Sequence, residues 1–150
     1  MNTNETCTDS NYRIELREEI REFFYNGGLN CAETTMRLLI NHGIIDGDIN
    51  LQKMMSGFGG GMQKGLICGA VTASVAAIGM KTGRLEPGES REPSANAVKE
   101  FLKNFEEQFS ELMCNELIKD YESKSAEMYN RCINYIAISV ELTEQLLCNI

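Results

Sequence analysis

The residues of this chain best suited to chemistry are six cysteines, Cys7, Cys31, Cys68, Cys114, Cys132 and Cys148. Four of them stand at or just before the predicted start of a helix, namely Cys31, Cys68, Cys114 and Cys132. The free N–H groups at a helix start carry partial positive charge, which favours the thiolate and lowers the pKa of a cysteine. The pattern therefore predicts reactive or metal-binding thiolates at these four positions, although the helix that carries Cys132 could begin earlier, near Ser125.

The spacing of these four cysteines excludes the common local metal motifs. They stand 37, 46 and 18 positions apart, and none belongs to a C-x-x-C pair. Zinc ribbons, ferredoxin-type clusters and c-type haem attachment all use such pairs. The single histidine, His42, precedes Gly43 and is expected to interact with the last carbonyl groups of a helix rather than with a metal. A shared site must therefore form by convergence of distant segments.

A glycine-rich stretch, "SGFGGGMQKGLICG", leads directly into Cys68. Its glycines can adopt positive φ and let backbone amides approach a partner closely; they are Gly57, Gly59, Gly60, Gly61, Gly65 and Gly69. The stretch is not a dinucleotide fingerprint, because Met62 occupies the place of the last glycine, and it is not a P-loop, because Gly65 follows Lys64. We predict a loop that supports the Cys68 site, with a tight helix-packing corner as the alternative.

The elements that must position these residues are helices. Apolar residues recur at helical spacing near the N-terminus, after Asn30, after Asp48, from about Val98 and along the C-terminal segment, and no strand-like alternation is found. Residues 67–82 are small and apolar on nearly all sides, which is typical of a helix at the centre of a bundle. The sequence thus predicts one all-α domain over residues 1–150, a compact multi-helix bundle with the glycine loop before a buried central helix.

Charge and composition limit the partners. The formal net charge of −8 and the absence of a Lys/Arg cluster disfavour a nucleic-acid partner. The N-terminus does not have the pattern of a secretory signal, and the apolar run 66–80 is too short to span a bilayer, so a cytoplasmic protein without membrane attachment is expected. Cys7 and Cys148 are expected to be incidental, or to pair on oxidation. Exposure of an apolar central helix would make a homodimer reasonable.

With these residues in view, the chain resembles the family of redox-active proteins named for its cysteine pattern, C_GCAxxG_C_C. The resemblance covers about residues 26–147 and rests on "GGLNCAE", "SGFGGGMQKGLICGAVTA", "IGMKTG", "FEEQFSELMCNELI" and the cysteine of "RCINYI". It implies a small helical protein of bacteria or archaea with a redox role at Cys31, Cys68, Cys114 and Cys132. Two departures are Ala73, where the family usually has glycine, and Ile133, where proline is common.

Three functions stay open at this point. The first is thiol–disulfide redox chemistry without a cofactor, in which the protein would act as an oxidoreductase on an unidentified redox partner protein. Pairing of Cys31 with Cys68 and of Cys114 with Cys132 is plausible, but all three connectivities are allowed. The second is an electron-transfer protein whose four cysteines hold an iron-sulfur cluster, zinc or another soft metal. The third is a non-catalytic helical assembly module whose cysteines only pack.

Overall fold

The computed structural model describes residues 9–150, and within them the chain forms seven α-helices and no strand. The helices are α1 (Ser10–Ile20), α2 (Cys31–Asn41), α3 (Ile49–Met54), α4 (Gly69–Thr82), α5 (Glu92–Phe109), α6 (Cys114–Ile118) and α7 (Ala126–Cys148). Arg21–Asn26 extends α1 as a π-helical turn, and Met55–Phe58 follows α3 as a 3-10 turn. The all-α prediction is confirmed.

Helix α4 lies at the centre of the bundle, where it packs against α2, α5 and α7. Its small residues allow neighbouring helices to approach closely, and Ala70, Ala73 and Ala77 are fully buried. The predicted central helix is therefore present, and Ala73 fits this close packing. Because most of α4 is covered within one chain, the exposure that suggested a homodimer is not found, and a dimer stays a prediction.

The starts of several helices follow from local capping. Asn30 caps α2 through a capping box in which its side chain accepts from the Glu33 N–H at 2.9 Å, and the Glu33 carboxylate accepts from the Asn30 N–H at 3.0 Å. Asp48 accepts from the Asn50 N–H at 2.7 Å and begins α3. Both caps were predicted from the sequence. Helix α4 begins at Gly69, so that Cys68 is its N-cap residue.

The predicted start of a helix at Cys132 is wrong. Helix α7 is capped by Ser125 and begins at Ala126, so Cys132 lies inside the helix and not at its start. His42 ends α2 as expected, because its backbone N–H donates to the Leu38 carbonyl at 2.9 Å. Its ring lies against α1, where Nε2 is 3.1 Å from the Glu19 carboxylate, and it makes an edge-to-face contact with Tyr12.

The two outer cysteines were expected to be incidental or to pair on oxidation. Cys148 is the last residue of α7 and is exposed, whereas Cys7 lies outside the described residues. None of the helices found in residues 9–150 has both the length and the apolar character that a membrane crossing requires.

The glycine loop, residues 57–65, contains a short left-handed turn. Positive φ occurs at four consecutive residues, Gly60 (59°), Gly61 (63°), Met62 (56°) and Gln63 (61°). Glycine adopts this conformation readily, but a side chain makes it unfavourable by about 1–2 kcal/mol per residue. The two non-glycine residues therefore place strain in the loop directly before Cys68.

We expect Met62→Gly and Gln63→Gly each to raise the free energy of unfolding by about 1 kcal/mol, because glycine removes the left-handed strain. Urea unfolding would measure the change. Lys64→Gly is the matched control, since Lys64 is equally exposed but has no positive φ. It should lower stability by about 0.5–1 kcal/mol. If all three variants lost the same free energy of unfolding, Met62 and Gln63 would not be strained.

Candidate functional site

Cys31 is the first residue of α2 and is partly exposed. The Asn30 cap that begins this helix also fixes the neighbouring loop, because the Asn30 side-chain amide donates to the Ser56 carbonyl at 2.9 Å. The Ser56 hydroxyl in turn donates to the Glu33 carboxylate at 3.2 Å. The same residues therefore start the helix of Cys31 and hold the beginning of the glycine loop against it.

Cys68 and Cys114 are brought together by a short antiparallel bridge between Ile67 and Met113. The Cys68 N–H donates to the Leu112 carbonyl at 2.9 Å, and the Cys114 N–H donates to the Leu66 carbonyl at 2.6 Å. Cys68 is buried as the N-cap of α4, whereas Cys114 is partly exposed as the first residue of α6. Two helix starts that are far apart in sequence thus meet at one pair of backbone hydrogen bonds.

Cys132 joins the group through the docking of α6 on α7. The buried Tyr135 hydroxyl of α7 donates to the Leu117 carbonyl of α6 at 2.7 Å. This bond links the short helix that begins with Cys114 to the helix that carries Cys132. Cys132 is partly exposed.

The electrostatics show that the four thiols are neighbours. Negative charge on Cys31 raises the pKa of Cys68, Cys114 and Cys132, and charge on Cys114 raises the pKa of Cys68 and Cys132. A Coulomb interaction weakens with distance, so these effects indicate that the four cysteines lie in one region of the fold. We call these four residues the thiol cluster. All four are free thiols in this structure.

The expected lowering of the thiol pKa values is wrong for three members of the cluster. Burial is the largest cause and raises the pKa of Cys68 and Cys114, and it raises that of Cys132 from its ordinary value of 9.0 to about 12. The removal of water disfavours the thiolate more than backbone N–H groups favour it, as at Cys68, where the Ala70 and Val71 amides only partly offset burial. Negative charge on neighbouring thiolates raises these three pKa values further.

The fit of a metal can be tested on the same side chains. Within residues 9–150, no group of three or more His, Cys, Asp or Glu side chains is arranged so that it could hold a metal ion. The thiol cluster therefore does not form a ready four-sulfur site in this geometry.

Gly69, the first residue of α4, has a direct role in placing Cys31. A Cβ at position 69 would collide with the Cys31 sulfur, and it would also lie 3.0 Å from the Ala32 nitrogen and the Phe58 carbonyl oxygen. Only glycine leaves room for this sulfur beside the start of α4. The missing side chain brings Cys31 next to the backbone that follows Cys68.

The other predicted loop glycines differ in what requires them. Gly60, Gly61 and Gly65 have positive φ, and a Cβ at Gly65 would collide with Asn115 of α6. Gly59 has ordinary φ, but a Cβ there would lie 2.5 Å from the Asn30 side chain. Gly57 shows neither feature, because its Cβ would meet open space. Positive φ or close approach thus explains each of these glycines except Gly57.

Arg131 and Tyr135 lie beside the cluster and were not predicted from the sequence. The Arg131 guanidinium lies 5.3 Å from the centre of the Tyr135 ring and opposes the rise in the Cys132 pKa. In the segment "NRCINYI", Tyr135 follows Arg131 by four residues and Cys132 by three. Residues at these spacings are neighbours on the surface of a helix. That spacing could have predicted the contact between Arg131 and Tyr135 beside Cys132.

Comparison with known proteins supports a redox assignment at the level of the family. The model of the family described as putative redox-active protein (C_GCAxxG_C_C) matches residues 29–146. Neither the curated proteins nor the solved structures contain a significant match.

We expect Gly69→Ala to lower the free energy of unfolding by about 1–3 kcal/mol, because the added methyl and the Cys31 sulfur cannot occupy the same space. Gly79→Ala in the same helix is the control, since a Cβ there meets open space, and it should raise stability by about 0.5–1 kcal/mol. Cys31→Ala in the Gly69→Ala background should restore part of the loss. Absence of any such recovery in urea unfolding would show that the sulfur is not the obstacle.

The raised pKa of Cys132 predicts a loss of stability at alkaline pH. The unfolded chain loses this thiol proton near pH 9.0, whereas the folded chain keeps it to about pH 12. The stabilising effect is therefore complete below pH 9.0 and declines as the pH rises to about 12. Urea unfolding at about pH 8 and about pH 10 should show a smaller decline for Cys132→Ala than for the parent chain. Cys148→Ala, which removes a thiol outside the cluster, should retain the parent decline.

Proposed function

The chain belongs to the C_GCAxxG_C_C family, and we propose that it is a thiol–disulfide redox protein that uses Cys31, Cys68, Cys114 and Cys132. The observation that carries the proposal is the thiol cluster itself, in which charge on Cys31 acts on three cysteines from distant segments and Gly69 leaves space for the Cys31 sulfur beside the start of α4. Cysteines gathered in one region can form disulfides within the chain. The reducing cytoplasm that the sequence suggests is a suitable compartment for such cycling thiols.

We assign the first attack to Cys31. It is partly exposed, and it is the first residue of the eleven-residue helix α2. Cys68, by contrast, is buried and has a raised pKa. Cys31 is thus the member of this pair that a disulfide substrate can reach. Gly69 keeps its sulfur beside the residue that would complete the reaction.

The exchange proceeds in two balanced steps. The Cys31 thiolate attacks one sulfur of a substrate disulfide, so that a mixed disulfide forms and the first product leaves as a thiolate. The Cys68 thiol then loses its proton and attacks the Cys31 sulfur, which closes the Cys31–Cys68 disulfide and releases the second product thiolate. Two protein thiols are oxidised, one substrate disulfide is reduced, and the protons pass to the two products.

The charge coupling gives these steps their order. Burial is the largest cause of the raised pKa of Cys68, and negative charge on Cys31 raises it further, so the second thiol stays protonated in the reduced protein. A mixed disulfide at Cys31 carries no charge, and this cause of the raised pKa disappears when the first step is complete. The second thiol therefore becomes easier to ionise only when there is a mixed disulfide for it to resolve.

Cys114 and Cys132 form the second proposed pair. After burial, charge on Cys31 and then charge on Cys114 raise the pKa of Cys132, which supports a position of Cys132 in the same region as both. The Tyr135–Leu117 hydrogen bond holds their two helices together. The cluster would then store four electrons as two disulfides. This chemistry needs no metal or other cofactor.

We expect a disulfide oxidant to produce Cys31–Cys68 and Cys114–Cys132 bridges, which peptide mapping by mass spectrometry after blocking of free thiols would identify. Cys31→Ser should slow the oxidation of Cys68 by about tenfold or more, because the exposed attacking thiolate is removed. Cys148→Ser is the matched control and should leave both bridges unchanged, since Cys148 lies outside the cluster.

The same preparation distinguishes the alternatives. Four cluster thiols that resist both alkylation and oxidation in the folded protein would favour a helical assembly module. Iron with sulfide, or zinc, at one site per chain after anaerobic purification would favour the metal-binding electron carrier. Either result would contradict the proposed exchange reaction.

A further inference from the structure

Arg131 is a cation beside the thiol cluster, and no carboxylate within residues 9–150 forms an ion pair with it, although the chain carries 22 acidic residues. Its neighbours are the phenol groups of Tyr135 and Tyr121, and hydrogen bonds with both help to raise the pKa of Arg131. Its Nε is buried and has no hydrogen-bond partner in the described part of the chain, so it is closed to a group that arrives from solvent.

The positive charge of Arg131 is not cancelled by its tyrosine neighbours. Burial raises the pKa of Tyr135, so that this phenol stays neutral, and its hydroxyl proton is donated to the Leu117 carbonyl. The Tyr135 ring lies 5.3 Å from the guanidinium carbon and supports it by a cation–π contact. Arg131 is thus held in place by an aromatic ring while its full charge remains.

The position of this charge relates it to the thiols. Arg131 precedes Cys132 on α7, and its charge acts on the Cys132 thiol. Both residues are partly exposed. The other groups that act on Cys132 are Cys31 and Cys114, which repel negative charge when ionised. Within residues 9–150, no cation other than Arg131 acts on the thiols of Cys68, Cys114 and Cys132.

We propose that Arg131 binds an anionic group of the substrate, and that the Cys114–Cys132 side of the cluster accepts small disulfides with a carboxylate close to the sulfur atoms. The inference rests on the proposed thiol–disulfide function. A planar guanidinium matches a carboxylate with two parallel hydrogen bonds. In a chain with a net charge of −8, a local cation is also needed to offset general repulsion of an anionic substrate.

The bound disulfide reacts as at the first pair. A thiolate of Cys114 or Cys132 attacks the substrate sulfur nearest the bound carboxylate, the other half leaves as a thiolate, and the second cysteine displaces the retained half. One protein disulfide forms and one substrate disulfide is reduced. The two thiol protons pass to the two products, and Arg131 takes no part in the electron transfer.

The test compares three disulfide probes of different charge on the reduced full chain with Cys7→Ser and Cys148→Ser. The probes are the dianionic dithiobis(nitrobenzoate), the neutral dithiodipyridine and the dicationic cystamine. The rate of Cys114 and Cys132 oxidation is followed by blocking free thiols and mapping peptides. For each probe, the rate of a variant is divided by that of the parent, which removes differences between leaving groups.

We expect Arg131→Gln to slow oxidation by the dianionic probe about threefold to fivefold relative to the other two probes, the range expected for loss of one exposed ion pair. Arg131→Lys should retain most of the preference for the dianionic probe, and added salt should reduce that preference in the parent chain. The matched control is Arg91→Gln, which removes the same charge near Thr82, at the opposite end of α4 from Cys68. It should change all three rates equally.

The outcomes separate this inference from the proposed function. An equal loss with all three probes would show that Arg131 acts on the thiolate and not on the substrate, and would overturn the inference. Unchanged rates in Arg131→Gln would also overturn it while the redox function stands. Failure of every probe to oxidise the cluster in the parent chain would remove both proposals.

Discussion

The thiol cluster depends on the close contact between the start of α2 and the start of α4. The Cys31 sulfur occupies space that any side chain at position 69 would need, so the two helices can meet this closely only because Gly69 has no Cβ. The small residues further along α4 continue the same close packing against its neighbours. A bundle of larger side chains would hold the helix axes further apart and separate the sulfurs.

This close packing also explains why the helix starts do not give uniformly acidic thiols. A helix N-terminus favours negative charge only to the extent that water or other dipoles can share that charge. At Cys68 the surroundings are hydrocarbon and other thiols, and the pKa is raised although backbone N–H groups point toward the sulfur. The cluster thus resembles a set of coupled acids more than four independent nucleophiles, and ionisation of one member opposes ionisation of the rest.

The glycine loop connects the stability of the fold to this site. Its left-handed turn places strain at Met62 and Gln63, and the segment that follows it supplies both hydrogen bonds of the Ile67–Met113 bridge. Strained backbone persists only where surrounding contacts fix it. Here those contacts include Asn30, whose amide holds Ser56, and Asn115, which lies against Gly65. The loop is therefore fixed from the helices of Cys31 and Cys114 at once.

The sequence by itself determined the features that depend on near neighbours: the all-α class, the buried central helix, and the caps at Asn30 and Asp48. These follow from helical periodicity and from side chains that bond to amides two or three residues away. Only the tertiary structure decided that Cys132 lies within a helix, that burial raises its pKa, and that Arg131 stands beside it without a carboxylate. The physical reason is that desolvation and Coulomb interactions are sums over segments far apart in the chain, and spacing along the sequence does not contain those distances.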